Sequence, residues 1–316
     1  MSVAYGIEVK PKDDVYIQTA ERGVYPLTVA AVPGSFLVDL LPILKYVPAW
    51  FPGAGFQTKA RQWKRLATDM IELPYAEAKK NIAEGTCPPC FTSMCFEKMN
   101  SGTSDDAYRE DIIQGAAGTM YAAGSDTTIS GVASCILGLL ERPDVFKQAR
   151  ADLDRVVKKG HLPDFDDEAS LPFITAIVKE VLRWRDIVPI AVPRYLENDD
   201  QYKGYRLPAG SIVIPNAWAM LHDESVYPEP FEFKPERFMK DGKINPETRD
   251  PAHACWGFGR RICPGRYVGF AALWVSIASI IHVFDIEKER DEQGKPLELS
   301  HEYVSGIVWC VYSIVS

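Results

Sequence analysis

No proline occurs between Tyr108 and Arg142, and Pro143 ends this pattern. A helix over these positions has about 35 residues and a length of roughly 50 Å. Because a helix of that length crosses a whole domain, the rest of the chain has to pack around it. Its middle, Ala122 to Thr128, is rich in residues that favour other backbone hydrogen bonds. Such a weak turn in a long buried helix indicates a groove beside it.

The composition is that of a globular protein with a large core: 316 residues, 47% hydrophobic and 25% charged. A net charge of -8 argues against nucleic acid as a partner. The seven cysteines lack the regular spacing of a disulfide framework, which indicates a reducing compartment. No signal peptide follows Met1. The longest nearly apolar run, Phe270 to Ile281, is shorter than the roughly 20 residues that span a bilayer and predicts a buried helix.

Further helices and a few short strands are predicted, so the fold class is mainly α with small β-sheets (α+β). The apolar stretch from Leu27 to Leu44 is interrupted by prolines and predicts paired short helices. The other helices are predicted at about 15–31, 56–84 with a weak point near Pro74, 143–159, 171–188 and 264–282. Strands are predicted at 202–207 and 211–215, separated by a turn at 208–210, and within 304–315.

A glycine-rich stretch with one cysteine, Trp256 to Gly265, precedes the last of these helices. Its three glycines let the backbone turn tightly and approach a flat group. Cys263 lies just before the helix, where unpaired N–H groups and the helix dipole favour a thiolate. Positive charge is supplied by three residues: Arg260, Arg261 and Arg266. The stretch therefore predicts a site for a planar, anionic group, although a lone cysteine at a helix start is more often a core thiol.

This stretch resembles the haem-binding loop of the cytochrome P-450 family, whose pattern reads F-x-x-G-x-R-x-C-x-G. The matching residues are Gly259, Arg261, Cys263 and Gly265, with Trp256 in place of the usual Phe. The resemblance implies that Cys263 is the axial thiolate ligand of haem iron and that Arg261 pairs with a haem propionate. It also places Phe258 among the residues around the cofactor.

Two other motifs resemble those of the same family, in the same order along the chain. Glu180 and Arg183 form E-x-x-R, and Arg237 lies in Pro235–Phe238, which resembles P-E-R-F. The resemblance implies a buried ion-pair network that supports the fold and holds the irregular loop against the core. E-x-x-R alone is weak, because helical pairs of this spacing are usually solvated. The motif supports the resemblance because it occurs in the same order and at the same spacing along the chain as in the family.

The segment 123–128 resembles the family's oxygen-activating motif, A/G-G-x-D/E-T-T. The resemblance implies that Asp126 is the acid that delivers protons, that Thr127 is the hydroxyl beside dioxygen, and that Gly124 leaves space for it. The alternative is an ordinary helix in which Ser and Thr bond back to the main chain. Arg194 stands where the family places a propionate-binding residue.

The resemblance covers almost the whole chain, but family members are about half as long again. We therefore expect residues 1–316 to be a single partial domain without the N-terminal third of the family fold. Expressed alone, this partial domain would fold poorly or lose haem. Many stretches resemble a fungal group that includes O-methylsterigmatocystin oxidoreductase-like proteins. For the full-length protein the resemblance implies an endoplasmic reticulum membrane location, cytoplasmic face, with an anchor in the missing region.

The implied activity is insertion of one oxygen atom from dioxygen into a hydrophobic small molecule. The chain has no flavin or nicotinamide motif, so an NADPH-dependent flavin reductase is the implied electron donor. A basic docking patch is predicted from six residues: Lys147, Arg150, Lys158, Lys159, Arg260 and Arg266. Two alternatives stay open, an inactive haem-binding fragment and an oxygen-independent haem-thiolate isomerase or dehydratase. The Asp126–Thr127 pair favours the monooxygenase, because the isomerases need no proton delivery.

Cys87-Pro88-Pro89-Cys90 has a spacing found in metal and redox sites, and Cys95 follows closely. One C-x-x-C without a second pair or a nearby histidine is weak support for either. The spacing therefore favours a loop that leads into a short helix.

Overall fold

The computed structural model describes residues 1–30, 32, 34–101, 109–304, 308, 310 and 311. The helices are α1 (Ser2–Tyr5), α2 (Val15–Ala30), α3 (Leu37–Leu40), α4 (Gly55–Ala83), α5 (Phe91–Asn100), α6 (Glu110–Glu141), α7 (Pro143–Val156), α8 (Pro172–Trp184), α9 (Ala217–Leu221) and α10 (Arg266–Val283). The strands are β1 (Arg194–Tyr195), β2 (Asp200–Tyr202), β3 (Tyr205–Leu207), β4 (Ile212–Val213), β5 (Met239–Lys240), β6 (Lys243–Ile244), β7 (Tyr303–Val304) and β8 (Cys310–Val311). This is the mainly α fold with small sheets that the sequence predicts.

The long central helix is confirmed as α6, which runs unbroken from Glu110 to Glu141. The first residue of the predicted range, Tyr108, lies outside the described residues. Glu110 and Asp111 occupy the first turn, where negative charge offsets the positive end of the helix dipole. The predicted weak segment keeps its helical geometry, so its poor helix formers do not break the helix.

Three of the other helices differ from their predicted course, among them α8, which ends at Trp184 although its end was predicted near residue 188. α4 continues through Pro74 without a break, and Pro74 is buried within it. Proline there removes one backbone hydrogen bond, and the long amphipathic helix tolerates that loss. α7 ends at Val156, short of the predicted Lys159, because Val157 is already extended with ψ at 131°.

The strand predictions in the middle of the chain are wrong in detail. Residues 202–207 do not form one strand: β2 and β3 are a hairpin whose turn lies at Lys203 and Gly204, with φ at 50° and 84°. The strand predicted at 211–215 is shorter in the structure, as β4, and it pairs antiparallel with β1, Arg194 opposite Val213. At the end of the described chain, β7 pairs antiparallel with β8.

The described chain divides into two compact units, Met1–Asp126 and Thr127–Ser316. The core of the first unit is rich in aromatic side chains, among them Tyr5, Tyr75, Phe96 and Tyr121. α2 approaches α4 closely at Gly23, where a Cβ would lie 2.8 Å from the Cβ of Met70. Glycine at this position therefore allows the two helices to touch.

The core of the second unit centres on α8 and α10. α8 has Pro at its first position and buries ten of its residues, including Phe173, Ile177 and Val181. α10 contributes Trp274, whose Nε1 donates to Thr175 Oγ1 at 3.1 Å. The loop at 256–265, which holds the candidate site, lies directly before α10 and is attached to this core.

Two helices of the described chain, Glu110–Glu141 and Arg266–Val283, are long and apolar enough to cross a membrane by length and composition. The predicted helix at 264–282 corresponds to the second of these, and its apolar face includes the buried residues Leu273, Trp274 and Ile281. Core helices of globular domains meet the same criteria.

Candidate functional site

The backbone of the loop at 256–265 takes a conformation that its glycines permit. Gly257 and Gly259 have φ at 75° and 60°, values that side-chain-bearing residues rarely adopt. The loop closes on itself, since the N–H of Cys263 donates to the carbonyl of Trp256 at 2.7 Å. Gly265 then caps α10, which begins at Arg266. Position 263 is thereby fixed one turn ahead of a long helix.

The aromatic ring of Trp256 anchors this loop to α10. A Cβ on Gly269 would lie 3.4 Å from Cη2 of Trp256, so the ring packs directly on the first turn of the helix. Phe258 packs near a small cluster formed by Ala217, Leu221 and Ala254. The side chains on both sides of Gly257 therefore point into packed surroundings and hold the loop in place.

The two cysteines near this loop lie in different environments. Cys263 is a half-buried free thiol, and a Cβ on Gly265 would lie 3.9 Å from its Sγ. Cys255 packs against the main core, and burial, with the charges of Asp186 and Asp250, raises its pKa well above the usual value. Cys255 is thus held as a neutral thiol, whereas Cys263 lies on the glycine-lined loop at the helix start.

The structure brings together the two arginines that the sequence assigns to haem propionates. Nη2 of Arg194, on β1, donates to the carbonyl oxygen of Arg261 at 3.4 Å. Both side chains are exposed. The contact joins the Arg194 side chain to the main chain of the cysteine loop, so it brings one of these cations to the loop itself. Among the described residues, no heavy atom lies within 4 Å of a Cβ placed on Gly259, so the loop also leaves space there.

Gly124, Asp126 and Thr127 lie in the middle of α6. A Cβ on Gly124 would have no described heavy atom within 4 Å. Asp126 is half-buried, and burial, together with the charge of Glu21, raises its pKa. A carboxyl with a raised pKa keeps its proton at higher pH, a property that suits a proton donor. Four residues beyond Thr127, Gly131 packs on α10, where a Cβ would lie 2.7 Å from Leu273 Cδ2.

Glu180, Arg183 and Arg237 make direct contact in the interior of the second unit. Arg183 donates twice to the Glu180 carboxylate, each bond 2.8 Å long, and both side chains are completely buried. Nε of Arg237 reaches the same carboxylate at 3.1 Å. The N–H of Lys234 adds a further bond to Glu180 at 2.8 Å. One carboxylate thus receives two cations and a backbone donor, which is what its burial requires.

The remaining donors of these two arginines bind main-chain carbonyls of the irregular loop. Nη1 of Arg183 donates to Pro230 at 2.7 Å and to Leu221 at 3.2 Å. Nη1 of Arg237 donates to Pro228 at 2.6 Å. The loop has few regular backbone partners of its own, so these bonds satisfy carbonyls that would otherwise be unpaired. The network therefore fixes the course of the chain between α9 and Pro235.

Sequence reasoning missed two residues that bind the same irregular loop, Arg142 and Trp184. Arg142 donates to the carbonyl of Phe233 at 2.9 Å and to Glu236 at 2.6 Å, and Trp184 Nε1 donates to Phe231 at 2.7 Å. These pairs are far apart in sequence, so no local pattern marks them. Asp186 was also missed: it is 1% exposed, and its Oδ2 has no hydrogen-bond partner among the described residues. Burial raises the pKa of Asp186 to about 7.

The protein is mainly α with small sheets, and Cys263 lies on a glycine-rich loop just before a long helix. The family model described as Cytochrome P-450 matches residues 2–308, and the chain belongs to that family. The protein is 43% identical to cytochrome P-450 monooxygenase 98 of Postia placenta, over 97% of this chain. It is 44% identical to a cytochrome P-450 monooxygenase of Armillaria gallica, over 95% of this chain. It is 40% identical to tryptamine 4-monooxygenase of Psilocybe cyanescens, over 97% of this chain. The chain spans about 59% to 60% of the length of these relatives.

Proposed function

We propose that this chain is the haem-binding part of a monooxygenase that inserts one oxygen atom from dioxygen into a hydrophobic small molecule, and that residues 1–316 belong to one partial domain. The observation that carries the proposal is the loop at 256–265, where positive φ at two glycines presents Cys263 ahead of α10. Cys263 would ligate haem iron, with Arg194 and Arg261 at its propionates and Gly259, Gly265 and Phe258 around it. Thiolate-ligated haem supplies the activation of dioxygen when bound.

The chain's own residues have separate roles in this proposal. Gly257 and Gly259 shape the loop so that the thiol is held apart from the core, and Glu180, Arg183 and Arg237 keep the supporting loop fixed. Asp126, whose pKa is raised by burial, holds a proton for the reaction, and Thr127, the next residue of α6, supplies the hydroxyl beside dioxygen. Gly124 leaves free space on the same helix.

The test of the proposal is the absorption spectrum of the reduced, carbon monoxide-treated protein, expressed from the longest transcript that encodes this chain. We expect a strongly red-shifted band, which reports thiolate ligation. Cys263→Ala should abolish that band while Cys255→Ala, a change at the core thiol of the same segment, leaves it in place. A band that survives Cys263→Ala would reject the assignment of the ligand.

The proposed electron donor is a flavin reductase that uses NADPH and docks through basic side chains. Lys147, Lys158 and Lys159 are exposed and available for an acidic partner. Arg150 is engaged elsewhere, because its guanidinium donates to the carbonyls of Ile281 and Phe284 at the end of α10. The proposed patch therefore consists of the three lysines and the exposed Arg260, with Arg266 at its edge, since reversing the charge of Arg150 would also disturb the contact between α7 and α10.

Asp126→Asn should slow NADPH-driven product formation about 100-fold in a reconstituted assay with purified reductase, because an amide cannot deliver the proton. Oxygen consumption should fall much less, with the difference released as peroxide. The matched control is Ser125→Ala, one residue earlier on the helix. Equal turnover of wild type and Asp126→Asn would contradict the role of Asp126. Turnover without dioxygen would instead support the isomerase or dehydratase alternative.

We also propose that the full-length protein lies at the cytoplasmic face of the endoplasmic reticulum membrane. The segment 37–51 supports this location, because it exposes a series of large apolar side chains in the first unit. Among the most exposed are Leu40, Ile43, Tyr46 and Trp50, each more than two-thirds exposed. Recovery of the expressed protein in the soluble fraction, rather than with microsomes, would contradict the proposal.

A further inference from the structure

Two cysteines that the proposed function does not use lie side by side in the first unit. The Sγ atoms of Cys87 and Cys90 are 3.8 Å apart, at the entrance to α5. Both are free thiols; Cys87 is half-buried and Cys90 is buried. A disulfide needs a separation of about 2.05 Å, so the two sulfurs have to move closer together before the bond can form. The spacing of the motif thus corresponds to a real juxtaposition of thiols.

The surroundings of the pair fix its geometry. Cys90 is the N-cap of α5: its Sγ accepts from the N–H of Ser93 at 3.4 Å, and the Ser93 hydroxyl accepts from the N–H of Cys90 at 2.9 Å. Cys87 lies under the end of α1, where a Cβ on Gly6 would be 3.0 Å from its Sγ. The buried bond from Thr92 Oγ1 to the carbonyl of Ala4, 2.7 Å long, holds the same surfaces together. These contacts keep the two sulfurs close together.

We infer that Cys87 and Cys90 are a reversible disulfide site that exchanges with small disulfides such as oxidised glutathione. In the exchange, the sulfur of the more accessible Cys87 attacks the glutathione disulfide and forms a mixed disulfide, releasing one glutathione thiol. The Cys90 sulfur then attacks the Cys87 sulfur and releases the second glutathione. The two cysteines lose two protons and two electrons in total, and one glutathione disulfide gains them.

The quantity to measure is the equilibrium between the dithiol and the disulfide forms of Cys87 and Cys90, because the rate of exchange is expected to be low. Burial and the neighbouring Cys90 raise the pKa of Cys87 to about 11, so that only a small fraction of this thiol ionises at neutral pH and the exchange is slow. The position of equilibrium is set by how closely the fold holds the two sulfurs. A pair fixed in contact forms its disulfide at a lower proportion of oxidised glutathione than the same pair in an unfolded chain.

The experiment equilibrates the protein expressed from the longest transcript that encodes this chain in mixtures of reduced and oxidised glutathione, blocks the remaining thiols by alkylation and digests with trypsin. Cleavage after Lys80 and Lys98 gives one peptide that carries Cys87, Cys90 and Cys95. At the oxidising end we expect this peptide to lose two hydrogen atoms and to carry one alkyl group, on Cys95. The midpoint should lie at a glutathione ratio at least about tenfold more reducing in the folded chain than in guanidinium chloride, a difference of about 30 mV.

Three variants, and the comparison of the folded with the denatured chain, test whether Cys87 and Cys90 form the disulfide. Cys87→Ser and Cys90→Ser should each abolish the loss of two hydrogens, whereas Cys95→Ser should leave it unchanged. The inference is overturned by three alkyl groups at every ratio, by a disulfide that requires Cys95, or by equal midpoints in the folded and denatured chains. The last comparison uses the unaltered sequence, so it holds even where a serine variant folds poorly. The inference stands independently of haem binding.

Discussion

Glu180→Gln is expected to lower the free energy of unfolding by about 3–5 kcal/mol, because it removes the one negative charge that two buried cations share. Arg183 is completely buried and binds both oxygens of Glu180, and Arg237 reaches the same group with a side chain 7% exposed. An amide can replace some of the hydrogen bonds but none of the charge. The cost is therefore mainly that of a guanidinium left without its counter-ion.

The matched control is Asp152→Asn on α7. Asp152 and Arg155 have the same spacing of three residues, and their atoms are 2.7 Å apart, but their side chains are 25% and 71% exposed. Loss of that pair should cost less than about 1 kcal/mol, because water already screens the charges. Urea unfolding followed by circular dichroism measures both. Similar losses of unfolding free energy in the two variants would show that burial of the Glu180 pair does not increase its contribution to stability.

The network also makes a local prediction about the irregular loop. The N–H of Lys234 donates directly to Glu180 at 2.8 Å, so its hydrogen exchange reports on the contact. In Glu180→Gln this amide should exchange much faster than the core of α8, even under conditions where the protein stays folded. Unchanged protection at Lys234 would indicate that the loop is held by its other contacts, such as the bond from Trp184 to Phe231.

The parts of the site that the sequence predicts are those with local causes. The cysteine loop depends on glycines within a few residues of Cys263, and E-x-x-R depends on the three-residue spacing that places both side chains on one helix face. The roles assigned to those residues stay predictions, since sequence spacing does not report what they bind. The long helix α6 was predicted because proline is absent over its whole length.

The errors have causes that no local pattern reveals. The turn at Pro208–Gly210 lies between β3 and β4 as predicted, but the sequence does not indicate that β4 pairs with β1, because that pairing depends on contacts between distant residues. The hairpin turn at Lys203 and Gly204 needs positive φ at both positions, and only the glycine marks it in the sequence. The bonds of Arg142 join it to residues more than 90 positions away.

Asp186→Asn is expected to change how stability depends on pH. The pKa of Asp186 is raised by burial from 3.8 to about 7 in the folded protein. Between those two pH values the folded state binds a proton that the unfolded state has released, so the free energy of unfolding falls as pH rises. The full loss is about 4 kcal/mol, at about 1.4 kcal/mol for each pH unit, and most of it falls between about pH 4 and pH 7.

Asparagine does not titrate, and it resembles the protonated acid in shape and hydrogen-bonding capacity. The free energy of unfolding of the variant, relative to that of the wild type, should therefore rise by about 3 kcal/mol from about pH 5 to pH 8. Urea unfolding at each pH measures this difference. Asp199→Asn is the control, because Asp199 is exposed and its pKa is lowered by the N–H of Ala209 and by Arg206, which places its titration below this window. A difference between Asp186→Asn and wild type that stays constant across this window would show that Asp186 is ionised in the folded protein. In that case a partner must compensate its charge, since an isolated ionised carboxylate at this depth would cost several kcal/mol.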